Sequence, residues 1–192
     1  MTDDRNDVVD VASAHGRFQP LHLGHLEYLL AAARRCRTLV VGITNPDPWQ
    51  VRSEPSAPHR EAGHANPFTF YERLSMVDGA LRDSGLPDTA FRVVPFPHSF
   101  PERLGHYLPA GATVLLTIYD GWGEEKLRRF RAHGWRTEVL WRRDTTVTSG
   151  TDLRRRLRDG LAWDHLVPPA TARVVRDLPA THPVFAPERH VG

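Results

Sequence analysis

Gly16-Arg17-Phe18-Gln19-Pro20-Leu21-His22-Leu23-Gly24-His25 follows an apolar run at Val8, Val9 and Val11 and feeds into the apolar stretch Leu26 to Ala33. Read physically, this is a buried strand, a tight turn, and a helix that opens at Gly24. His22 and His25 then sit three residues apart over the helix N-terminus. Unpaired backbone N–H groups and the positive end of the helix dipole already favour an anion there. A phosphate group is the expected guest.

The chain has 192 residues, 40% of them hydrophobic, enough for one substantial core. A single domain over 1–192 is expected, with its core from about 9 to 178 and a proline-rich, irregular tail over 179–192. No apolar run approaches the roughly 20 residues that span a bilayer. The opening residues, Met1 to Asp7, are acidic and lack the apolar centre of a signal peptide. Cys36 is the only cysteine, which excludes an intramolecular disulfide and a cysteine zinc site. These features point to a cytoplasmic protein with no membrane partner. A net charge of +2 is too mild for a nucleic-acid-binding surface. Homo-oligomerisation is left open.

Strand and helix signals alternate along the chain. Val8–Ala14 reads as a strand and Gly24–Cys36 as a helix, with Leu26, Leu29, Leu30 and Ala33 at helical spacing. Thr38–Ile43 is a continuous apolar run of the kind covered on both faces. Asn45–Asn66 is a loop by composition. Pro67 then fits the first turn of a helix capped by Asn66 and carrying Tyr71, Leu74, Met76 and Leu81. Phe91–Phe96, Thr113–Tyr119 and Thr137–Trp141 supply three further strands. Between and after them come a short helix at Ser99–Tyr107, a polar helix at Gly123–Ala132, one from Ser149 to Arg158, and a last one at Pro169–Leu178. The order implies an α/β, Rossmann-like, doubly wound parallel sheet of about five strands with helices on both faces. Ligands of such sheets bind at the carboxyl ends of the strands. That rim gathers Gly16 to His25, Thr44 and Asn45, Tyr119 to Trp122, and the segment reaching Thr151.

GRFQPLHLGH at 16–25 resembles the signature of the HxGH nucleotidyltransferase superfamily, in the form carried by archaeal-type nicotinamide mononucleotide adenylyltransferases. Ser149-Gly150-Thr151-Asp152-Leu153-Arg154 resembles the family's late SxTxxR motif. Asn66-Pro67-Phe68-Thr69 with Glu72-Arg73 is similar to its NPFT–ER segment. The three occur in the family's order from about Val9 to Leu178. The resemblance implies transfer of a nucleotidyl group from an NTP to a phosphate or phosphonate acceptor, with release of pyrophosphate and Mg2+ carried on the triphosphate. The attacking oxygen is already anionic near neutral pH. Catalysis can therefore rest on positioning and on neutralising charge, without a protein base.

On this resemblance His22, His25 and Arg154 are the catalytic set. His25 donates at the α-phosphate, and Arg154, with Ser149 and Thr151, faces the β- and γ-phosphates. Gly16, Arg17, Phe18, Gln19, Gly24, Tyr119, Asp120, Trp122 and Gly150 complete the nucleotide site, Phe18 and Gln19 chiefly by shaping the turn. Thr44, Asn45, Arg52, Arg60, Arg73 and Phe100 are the acceptor candidates. His98, Glu102 and His106 occupy neighbouring rim positions. No protein metal ligand is assigned.

The acceptor half departs from the archaeal pattern. The 45–65 loop is longer, Pro97 to Glu102 lacks the tryptophan that stacks on nicotinamide, and Tyr119-Asp120-Gly121-Trp122-Gly123 replaces an asparagine-containing turn near the base. Two versions follow: CTP with a small phosphonate or phosphate metabolite, which the departures favour, or ATP with nicotinamide mononucleotide. A nucleotide-binding sensor without turnover is the reading from another class. A dehydrogenase is disfavoured, because the glycines do not follow GxGxxG spacing.

Overall fold

The computed structural model describes residues 8–47, 65–145 and 148–187. Five parallel strands, β1 (Val9–Gly16), β2 (Cys36–Thr44), β3 (Phe91–Phe96), β4 (Thr113–Ile118) and β5 (Arg136–Arg142), form one sheet in the order β3-β2-β1-β4-β5. This is the expected Rossmann-like arrangement, with the chain reversing its direction of growth between β1 and β4. The crevice of such a sheet opens at that junction.

Alternation along the strands separates two apolar layers. Ala12, Ala14, Leu39, Val41, Ile43 and Leu115 meet α1 (Leu23–Ala33), α2 (Phe70–Asp83), α4 (Gly150–Arg158) and α5 (Pro169–Arg176). Val40, Val114, Leu116 and Ile118 meet α3 (Gly121–Ala132) and the 3-10 turn Pro101–His106. Helices thus cover both faces, as period-2 strands buried on both sides demand.

β1 and β4 pair only over Ala12–Ala14 against Thr113–Leu115. Where this ladder ends, the Tyr28 hydroxyl of α1 enters between the strands. It accepts from the His15 N–H at 3.2 Å and donates to the Leu115 carbonyl at 2.6 Å. A side chain therefore bridges the strand ends that flank the crevice.

Two boundaries differ from expectation for identifiable reasons. α2 begins at Phe70, not Pro67. The Gln19 amide holds both backbone groups of Phe68, donating to its carbonyl at 3.0 Å and accepting from its N–H at 2.9 Å. The helix instead starts behind a capping box in which Thr69 and Glu72 satisfy each other's backbone N–H groups. The apolar core also continues past 178. The turn Pro183–Phe185 places Val184 in the larger apolar layer, and His182, buried beside Phe68, caps that turn. No helix among the described residues is long and apolar enough to cross a membrane.

Candidate active site

The turn after β1 is shaped by packing before it meets any ligand. Phe18 adopts φ +52° and is fully buried, with its ring folded back over Gly16. A Cβ at Gly16 would lie 2.8 Å from that ring, which is why glycine stands there. Gln19 is also buried and spends its amide on Phe68. The side chains of Phe18 and Gln19 thus build the turn from beneath, the role expected of them.

Above this base His22 is the N-cap of α1, whose first residue, Leu23, lies one position before the expected opening at Gly24. Its Nδ1 accepts from the His25 N–H at 3.2 Å, and the two rings stack at 3.6 Å. Burial pushes the His22 pKa down to about 4. His25 is lowered as well, first by burial and then by His22 and Arg17. Both rings are neutral in the free protein. With its Nδ1 accepting, His22 carries its proton on Nε2 as a donor.

α4 opens against the same turn. Ser149 caps it by accepting from the Asp152 N–H at 3.1 Å. Arg154, only 5% exposed, donates from Nη1 to the Gln19 carbonyl at 2.7 Å and from Nη2 to Thr151 Oγ1 at 3.2 Å. A Cβ at Gly150 would stand 3.0 Å from the Gln19 carbonyl oxygen, so the α4 opening meets the turn after β1 through a glycine. The opening of α4, with Gly150, Thr151 and Arg154, thus packs on the Gln19 turn, three residues before the His22 cap of α1.

The third rim segment follows β4. Asp120 caps α3 by accepting from the Gly123 N–H at 2.9 Å. Tyr119 Oη accepts from Trp141 Nε1 at 3.0 Å. The Trp122 ring meets His98 edge-on at 6.4 Å and lies under Arg129.

The acceptor candidates fare differently. Arg73, 2% exposed, is spent on the backbone. It donates to the carbonyls of Thr69, Arg17, Thr44 and Asn45 at 2.7–3.1 Å, lashing the ends of β1 and β2 to α2. The same bonds tie up the backbones of Thr44 and Asn45, and Asn45 takes φ +50°. Phe100 precedes the 3-10 turn, with the Arg103 guanidinium 6.0 Å from its ring centroid. Arg52 and Arg60 lie outside the described residues. Sequence reading overlooked Tyr28 and His15. For His15 the available signal was a polar ring in an apolar strand.

No group of three or more His, Cys, Asp or Glu among the described residues is arranged to hold a metal ion. What the site offers is imidazole, hydroxyl, guanidinium and backbone N–H donors. This set suits a triphosphate whose own oxygens carry the metal.

The cytidylyltransferase-like family model matches residues 13–156. The chain belongs to that family. The family match spans all three rim segments, from β1 to α4. Phosphonoformate cytidylyltransferase of Streptomyces viridochromogenes is 61% identical over 163 residues, covering 85% of this chain and 89% of the relative. Nicotinamide-nucleotide adenylyltransferase of Thermococcus kodakarensis is 27% identical over 168 residues, covering 85% and 80%. A bifunctional NMN adenylyltransferase/ADP ribose pyrophosphatase from Francisella tularensis superposes with a TM-score of 0.65 at 15% identity. It covers 88% of this chain, which spans about half the length of that structure, and the likeness bears on fold alone. The chain is a nucleotidyltransferase, as its family and its 61% identical relative agree.

Proposed function

We propose that this cytidylyltransferase-like enzyme transfers CMP from CTP to a small phosphonate, phosphonoformate being the first acceptor to try. The 61% identity to a phosphonoformate cytidylyltransferase over 85% of the chain carries this reading. The missing nicotinamide shelf after β3 supports it against the adenylyltransferase alternative.

In this mechanism a phosphonate oxygen attacks the α-phosphorus of CTP. The new O–P bond forms as the bond to the bridging oxygen breaks, and pyrophosphate leaves in line. His22 donates from Nε2 to the triphosphate, and His25 donates where charge grows on the α-phosphate oxygens. Arg154, Thr151 and the N–H groups at the head of α4 hold the leaving phosphates. Mg2+ bound to phosphate oxygens would neutralise part of the remaining charge. No group on the protein needs to remove a proton.

The test is pyrophosphate release from ATP, CTP, GTP and UTP, each crossed with phosphonoformate, other small phosphonates and nicotinamide mononucleotide. Release with CTP and phosphonoformate, with the CMP adduct identified by mass spectrometry, is expected. Release only with ATP and nicotinamide mononucleotide would replace this reading with the adenylyltransferase one. Binding of nucleotide without release in any combination would point to a sensor.

A further inference from the structure

His15 is the penultimate residue of β1, beside the crevice and one position before the turn that carries the histidine pair. It faces the α3 side of the sheet. Its imidazole lies flat on Phe96, with ring centroids 4.5 Å apart and planes within 4°, and the edge of Phe130 closes on it at 5.2 Å. Gly42, paired with His15 in the β1–β2 register, makes room for this stack, since a Cβ there would come within 2.3 Å of the Phe96 ring. The backbone N–H of His15 is held by Tyr28. The ring is thus held by Phe96 and Phe130 and the backbone by Tyr28, with the residue only 7% exposed.

Yet both ring nitrogens are buried without a hydrogen-bond partner. An apolar ring would fill the aromatic stack as well, and an unmet buried N–H costs about 1–3 kcal/mol. Packing therefore does not account for an imidazole at this point. Burial, Lys126 and His98 all disfavour its protonated form, in that order. The ring is neutral, with one N–H to give, in surroundings that repel an added positive charge and attract a negative one. His98 comes from the segment after β3, where the nicotinamide-stacking tryptophan is missing, and Lys126 from α3.

We propose that His15 is a specificity-determining residue of the acceptor subsite, its buried N–H donating to the carboxylate of a small carboxylated phosphonate. This inference rests on the CMP-transfer reading above and goes further by assigning the acceptor's second anionic group to a protein donor. An acceptor with a phosphonate head and no carboxylate would leave His15 as unmet as it is in the free protein, so the discrimination comes from the hydrogen bond that only a carboxylated acceptor gains.

The full-length chain would be assayed with CTP against phosphonoformate and methylphosphonate, the latter by its inhibition constant if it is not turned over. His15→Phe keeps the stack and removes the donor; His15→Gln restores a donor. His15→Phe is expected to raise the KM for phosphonoformate roughly tenfold or more. The KM for CTP and the constant for methylphosphonate should stay within about twofold, and His15→Gln should recover part of the loss. An unchanged phosphonoformate KM, or an equal rise for both acceptors, would overturn the assignment while leaving CMP transfer standing. No turnover of CTP with any phosphonate by the unaltered enzyme would remove the underlying reading and this one with it. A measurement on the unaltered chain avoids any folding defect in the variants. The imidazole 15N resonance of His15 should move on adding phosphonoformate to the CTP-loaded enzyme and stay put with methylphosphonate; its failure to move with phosphonoformate would also overturn the proposal.

Discussion

At the scale of single residues, the site rests on two imidazoles that burial holds in the neutral form. His22 has a folded pKa near 4 against an ordinary value of 6.5. Between those limits the unfolded chain binds more protons than the folded one, so stability rises with pH through the window. The contribution is complete above about pH 6.5 and is lost as pH falls toward 4. His25 is shifted in the same direction. Urea denaturation at pH 7 and pH 4.5 should show a lower unfolding free energy at the acid pH, by about 2 kcal/mol for His22 alone. An unchanged unfolding free energy would mean that burial does not lower the folded pKa values of the pair. On the chemical side, His25→Ala should cut turnover about a hundredfold, as expected for a donor that acts in the transition state. Near-normal melting would separate that loss from misfolding. An unaltered rate would remove His25 from the catalytic set.

At the scale of elements, what could be read in advance was what the chain encodes locally. Gly16 to His25 announces a strand, a turn and a helix because all three lie within a single apolar–polar–apolar run. Ser149 to Arg154 announces a helix start by its own hydroxyl and carboxylate chemistry. The Gln19–Phe68 clamp was not legible, because it joins residues 49 positions apart and moves the start of α2 by its grip on backbone groups. Arg73 misled because a guanidinium fork matches converging carbonyls as well as it matches phosphate oxygens. Tyr28 was silent for the same reason as Gln19: its partner Leu115 is 87 positions away. Tyr28→Phe should leave the His15 N–H and the Leu115 carbonyl unpaired and cost about 1–3 kcal/mol in chemical denaturation. A neutral substitution would show that the two strand ends can close on each other directly.

At the scale of the whole molecule, the segment after 178 is part of the structure that supports the site. Val184 packs into the same apolar layer as Leu157 of α4, the helix that carries Arg154. Val184→Ala should destabilise by about 2 kcal/mol, which for a chain of this length lowers the melting temperature by about 4–8 °C. An unchanged melting curve would make the tail a mere appendage. Arg73 has a consequence on this scale too. Burial lowers its pKa only to about 10, so it stays cationic at neutral pH. Among the described residues its hydrogen bonds all run to neutral carbonyls, with Glu72 the nearby charge that favours its cationic form. A protein with a formal charge of only +2 thus keeps a fixed cation sealed under the mouth of its crevice, where salt screens it least. A charge placed there adds a positive contribution to the potential that an anionic ligand meets at the crevice.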